Sequence, residues 1–133
     1  MIYLLDTNVC IQLWQRNNLT ARRHFIKHKP ADIAICSVVK AELLYGALHS
    51  TKPESNTSLL EQLFAPLKSF EFNDEAAKHY ADIRENLRKQ GKLIGANYLL
   101  IAAIARANAL TLVTHNTAEF ERVKGLQLAD WEI

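Results

Sequence analysis

"IYLLDTNVCIQLW", residues 2–14, sets a pattern that recurs along the chain. Four apolar residues, Ile2 to Leu5, stop at Asp6. A short apolar run closed by a polar residue predicts a buried strand. Beyond Asp6, "TNVCIQLW" begins a helix, and Asp, Thr and Asn are all normal residues where a strand turns into one. The succession repeats. "IAIC" (33–36) is strand-like, and Ser37 caps a helix running to about His49. "LTLVT" (110–114) is a third β run, with "TAEFERV" a short helix after it and "LQLADW" a last edge strand. Between these lie a basic helix, "ARRHFIKHK" (21–29), and a loop-like stretch, "TKPESNTS". A helix from Leu59 to about Leu67 and a short strand, "SFEF", follow. Asn73 or Asp74 caps a long helix through Gln90, which Gly91 ends. "LIGANYLLIAAIA" (93–105) supplies an almost wholly apolar helix. Short strands alternating with helices predict an α/β fold with a mostly parallel sheet.

The 133 residues suffice for a single domain, 1–133, with a real core, and 49% of them are hydrophobic. No apolar run is long enough to span a bilayer, so no membrane partner is expected. The first ten residues lack the basic region of a secretion signal. Cys10 and Cys36 sit inside apolar patterns as buried thiols, which fits a cytoplasmic protein. A net charge of +2 is too small to name a partner. Its distribution says more: Arg16, Arg22, Arg23, Lys27 and Lys29 lie in a stretch without any acid, and Arg84, Arg88, Lys89 and Lys92 form a second cluster. Such patches suit a polyanion, with Arg22, Arg23 and Lys27 as the candidate contacts, or are plain solvated helix faces.

In a parallel sheet, ligands bind beyond the carboxyl ends of the strands. Asp6 stands there, as a helix cap or as a site residue. Glu42 falls in a helical stripe of Val38, Ala41, Tyr45 and Leu48. An ionised carboxylate on such a stripe is costly unless a metal, an arginine or a cleft compensates it; a slightly rotated helix would instead leave it at the surface. Thr114, Asn116, Thr117 and Glu119 cluster just past the third β run. Two polar strand ends and a stripe carboxylate form a constellation suited to Mg²⁺, which takes a few carboxylates and keeps several waters. Such an ion can activate a water and stabilise charge on a phosphate.

"YLLDTN", "SVVKAELLYGA", "GKLIGANYLLIAAIA" and "LTLVTHNTAEFERVKGLQLADW", in this order and spacing, resemble the PIN-domain ribonuclease toxins of the VapC type over essentially the whole chain. The resemblance implies a three-layer α/β/α sandwich. It implies Mg²⁺ or Mn²⁺ as cofactor, RNA hydrolysis, a small VapB-type antitoxin as partner, and a homodimer. It places metal-binding acids at Asp6 and Glu42, and further catalytic residues at Asn116 and Glu119. The wording "MIYLLDTN" and "THNTAEF" is similar to toxins that cut initiator tRNA in its anticodon loop.

One position departs from the family. Where the pattern reads Asn-Asp, this chain reads Asn97-Tyr98, so a third metal-binding carboxylate is replaced by a phenol. A phenol is neutral at pH 7 and brings no charge to a divalent ion. Two readings follow: a metal-dependent endoribonuclease weakened or inactivated at Tyr98, and a catalytically silent protein of the same fold that binds antitoxin and RNA without cleaving. A phosphoryl-transfer enzyme with Asp6 as nucleophile would need a second carboxylate two residues on, where the chain has Asn8.

Overall fold

A computed structural model describes residues 1–133. Five strands form one sheet: β1 (Tyr3–Leu5), β2 (Ile33–Cys36), β3 (Lys68–Phe70), β4 (Thr111–Val113) and β5 (Gln127–Ala129). Their order is β3-β2-β1-β4-β5, and every neighbouring pair is parallel. Seven helices connect them: α1 (Thr7–Trp14), α2 (Leu19–Ile26), α3 (Ser37–Leu48), α4 (Pro53–Phe64), α5 (Asp74–Lys89), α6 (Ala96–Ala107) and α7 (Thr117–Phe120). The chain winds outward from β1 to β3, crosses back to β4 and winds outward again. Right-handed crossovers then put α1–α4 on one face and α5–α7 on the other, the three-layer α/β/α arrangement. The helices pair accordingly, α1 with α2 and α3, α3 with α4, and α5 with α6.

The core explains the winding. Leu4, Leu5, Ile33, Ile35, Leu112 and Val113 are buried on the strands, as expected of a sheet covered on both faces. Helix α6 contributes an unbroken buried run from Ile101 to Ala105. Its alanines let the helix lie close to its neighbours. No helix is long and apolar enough to cross a membrane.

Several boundaries differ from those the sequence suggests. "TKPESNTS" is not a loop: α4 begins at Pro53, a residue that suits a first helical turn because its φ is already helical and it lacks only an amide that would be unpaired there. Leu60 and Phe64 anchor this helix, so its polar first half is held by packing further along. The basic helix starts earlier, at Leu19, because Asn18 accepts the Ala21 amide at 3.0 Å. Asn73, not Asp74, caps α5. Gly91, with φ +67°, terminates that segment as expected.

Candidate active site at the carboxyl edge of the sheet

All five strands end on the same edge, and the polar residues that follow them meet there. Asp6 continues the β1 ladder, its amide donating to the Val113 carbonyl at 3.1 Å. Its carboxylate Oδ1 accepts the Val9 amide at 2.9 Å and so caps α1. Only 2% of Asp6 is exposed. Burial pushes its pKa up to about 6; hydrogen bonds from Thr114 and Val9 oppose the shift, and the charges of Glu132 and Glu42 add to it. Thus Asp6 is both the cap and a buried charge facing two other acids.

Glu42 lies on α3, but not within the stripe drawn from the sequence. Ala41, Tyr45 and Leu48 face solvent, and the buried stripe is Val39, Leu43 and Ala47. The helix is turned so that Val39 rather than Val38 leads its buried side. Glu42 stands at the border of the buried stripe, half-buried, and its Oε1 accepts the Thr7 hydroxyl at 2.8 Å. Thr7 therefore ties α1 to α3 beside Asp6. Glu42 and Thr7 also line a cleft of about 370 Å³ with Ile11, Trp14, Gly46 and Leu60.

On the other side of β1, Thr114 is fully buried after β4, and its Oγ1 accepts the Asn116 amide at 3.0 Å. Asn116 precedes α7 but makes no side-chain cap. Glu119 is half-buried within α7. The acids that act on Asp6 are Glu132 and Glu42, and Glu119 is not one of them. Sequence reasoning missed His115, Asp130 and Glu132. His115 Nδ1 and Asp130 Oδ2 lie 2.9 Å apart, and Asp130 Oδ1 accepts the Glu132 amide at 2.9 Å. A signal was present: Asp130 follows β5 directly, as Asp6 follows β1. Reading "LADW" as part of a strand concealed it.

Tyr98 is the third residue of α6. Because α6 leads into β4, its first turn lies at the same edge as the strand ends. The Tyr98 ring packs on the buried Phe120 of α7, with centroids 5.1 Å apart and planes at 52°. Its Cδ2 would lie 3.6 Å from a Cβ placed on Gly95. Helices α3 and α6, which carry Glu42 and Tyr98, touch each other.

A protein-family model described as "PIN domain" matches residues 3–126. "Ribonuclease VapC2" of Haemophilus influenzae is 39% identical over 129 residues, covering 97% of each chain. This chain belongs to the PIN-domain family, among the VapC proteins. A "tRNA(fMet)-specific endonuclease VapC" of Shigella flexneri is 37% identical with the same coverage. The solved structure of VapBC2 from Rickettsia felis, bound to a DNA fragment from its promoter, superposes with a TM-score of 0.89 at 37% identity. The match covers 98% of this chain and 99% of that one.

The chemistry of the PIN-domain edge suits a divalent cation. Four side-chain ion pairs form in the molecule, and none includes Asp6, Glu42 or Glu132. A carboxylate 2% exposed, close to two other acids and without a cationic partner, is the donor set that a hard ion neutralises. Arg22, Arg23 and Lys27 are exposed along α2 and its C-terminal cap. Arg22 also borders an apolar surface depression with Leu13, Trp14, Phe25 and Leu63. In the second basic cluster Arg88 is paired with Glu85, and Arg84 keeps its charge while donating to the Tyr80 hydroxyl.

Proposed function

We propose that this VapC-family PIN domain is the toxin of a type II toxin–antitoxin pair, built as a Mg²⁺-dependent endoribonuclease for initiator tRNA and silenced or weakened at Tyr98. The observation that carries the reading is the asymmetry of the edge. One side presents the buried Asp6 and the half-buried Glu42 without a cation, and the third position presents an uncharged ring packed on Phe120. The named relatives support RNA as substrate and initiator tRNA as its class. The VapBC structure supports a VapB-type antitoxin as partner.

Mg²⁺, with Mn²⁺ as a substitute, would be held by Asp6 and Glu42; such an ion lowers the pKa of a bound water and stabilises charge on a phosphate. Thr7 holds the Glu42 carboxylate in place at 2.8 Å. The Val9 amide fixes the rotamer of Asp6. Asn116 and Glu119 complete the polar rim around the phosphodiester. Tyr98 contributes bulk there without charge, so ion affinity and the placing of the attacking water both suffer. A silent protein that binds antitoxin and RNA is the second reading, favoured by the same Tyr98–Phe120 packing.

The deciding experiment is cleavage of initiator tRNA with Mg²⁺ by this chain and by Tyr98→Asp. Removing groups around a metal costs tenfold to a hundredfold, so restoring a ligand should raise the rate by about a hundredfold. The variant should also be toxic in cells lacking antitoxin. Equal rates for the two chains would refute the role given to Tyr98.

A further inference from the structure

We propose that His115, Asp130 and Glu132 form a second divalent-cation site, one that prefers a first-row transition ion to Mg²⁺. Each of the three offers one ligand atom, and these atoms lie within 4.8 Å of one another. Bonds of 2.0–2.2 Å place ligand atoms roughly 3 to 4.4 Å apart around one ion, so small side-chain movements close the set. The His115 side chain is 60% exposed and can make that movement.

The supporting structure is more rigid. Asp130 is 12% exposed at its side chain, and both its oxygens are held, Oδ1 by the Glu132 amide and Oδ2 by His115. The site hangs from the ends of two adjacent strands: His115 follows β4 and Asp130 follows β5. Rigid neighbouring strand ends position ligands better than a loose surface cluster does.

An ordinary surface ion pair would need only His115 and Asp130. Here Glu132 adds a second carboxylate, and behind it lies Asp6, almost fully buried, on which Glu132 acts as the foremost like charge. No lysine or arginine pairs with any of these acids. An ion held by the cluster would satisfy Glu132 and relieve its repulsion of Asp6. The imidazole decides the class of ion. Mg²⁺ takes oxygen ligands, whereas a mixed nitrogen and carboxylate set suits Zn²⁺, Co²⁺ or Mn²⁺.

The site stands apart from the ribonuclease reading, because its test needs neither RNA nor cleavage. Zn²⁺ and Mg²⁺ binding to the whole chain would be measured by calorimetry, and Co²⁺ binding by its visible absorption. The chains compared are the unaltered protein, His115→Ala, Glu132→Gln and Glu42→Gln, each checked for folding by circular dichroism. Zn²⁺ should bind more tightly than Mg²⁺. His115→Ala and Glu132→Gln should each weaken Zn²⁺ binding by about tenfold or more and alter the Co²⁺ spectrum. Glu42→Gln removes a charge near Asp6 but no ligand of this cluster, so it should weaken Zn²⁺ binding clearly less than either. Equal Zn²⁺ affinity in the unaltered chain and His115→Ala would overturn the site. So would a loss as large in Glu42→Gln, which would assign the ion to the Asp6–Glu42 side.

Discussion

Helices α1 and α6 both begin at the carboxyl edge of the sheet, and they begin differently. Asp6 starts α1 with a carboxylate that caps the helix and stays buried as a charge. Helix α6 starts at Gly95 with no side-chain cap, and Tyr98 anchors its first turn by ring packing. One start stores electrostatic cost and gains a polar site; the other gives up the polar site and gains apolar contact. A tyrosine at a helix start is thus tolerated because Phe120 and the open Gly95 receive it.

The largest expected effect tests whether Asp6 is the functional start. In the Tyr98→Asp chain, Asp6→Ala should abolish tRNA cleavage, read as cut product on a denaturing gel. Loss of the cap costs about 1 kcal/mol, and near neutral pH removal of the buried charge more than offsets it, so the thermal midpoint should not fall. Retained cleavage would break the contrast between the two helices.

The stored cost should itself be measurable. The Asp6 pKa of about 6 lies above its ordinary value of 3.8, so the folded state holds the proton longer than the unfolded state does. Stability from this group is therefore full below pH 3.8 and lost as pH rises through about 6. The gap corresponds to roughly 3 kcal/mol. Urea denaturation without metal should show this decline between those limits, and Asp6→Asn should flatten it. A steady gain in stability across that window, in Asp6→Asn and the unaltered chain alike, would mean that Asp6 is not desolvated.

On the other helix, Tyr98→Ala should cost about 2 kcal/mol, below the 3–5 of a fully buried aromatic because the ring is only half-buried. Chemical denaturation reads this directly. A smaller effect is expected away from the edge. Neutralising Arg22, Arg23 and Lys27 together should lower the slope of log affinity for tRNA against log salt by about 2. Unchanged tRNA binding would instead assign α2, with its bordering apolar depression, to a protein partner.

The alternation of strands and helices could be read from period and punctuation alone, and the parallel, doubly covered sheet followed from it. Asp6 was legible because an acid that closes an apolar run is locally conspicuous. Glu42 was identified for a reason that did not hold, since Val38, Ala41, Tyr45 and Leu48 are not the buried stripe. Helix α3 is rich in apolar residues on all sides, so periodicity could not fix its rotation to within one residue. The start of α4 was hidden for the opposite reason. Its first turns are polar, and the packing of Leu60 and Phe64 holds them.

Local chemistry in the chain determined which residues end strands, which cap helices, and that the first turn of α6 carries a neutral ring at position 98. Only the tertiary structure decided which strand ends are neighbours. β5 joins the sheet beside β4, and so Glu132, more than a hundred residues from Asp6, comes close enough for its charge to act on it. Charge interactions depend on separation in space and on burial, and neither is a property of spacing along a chain.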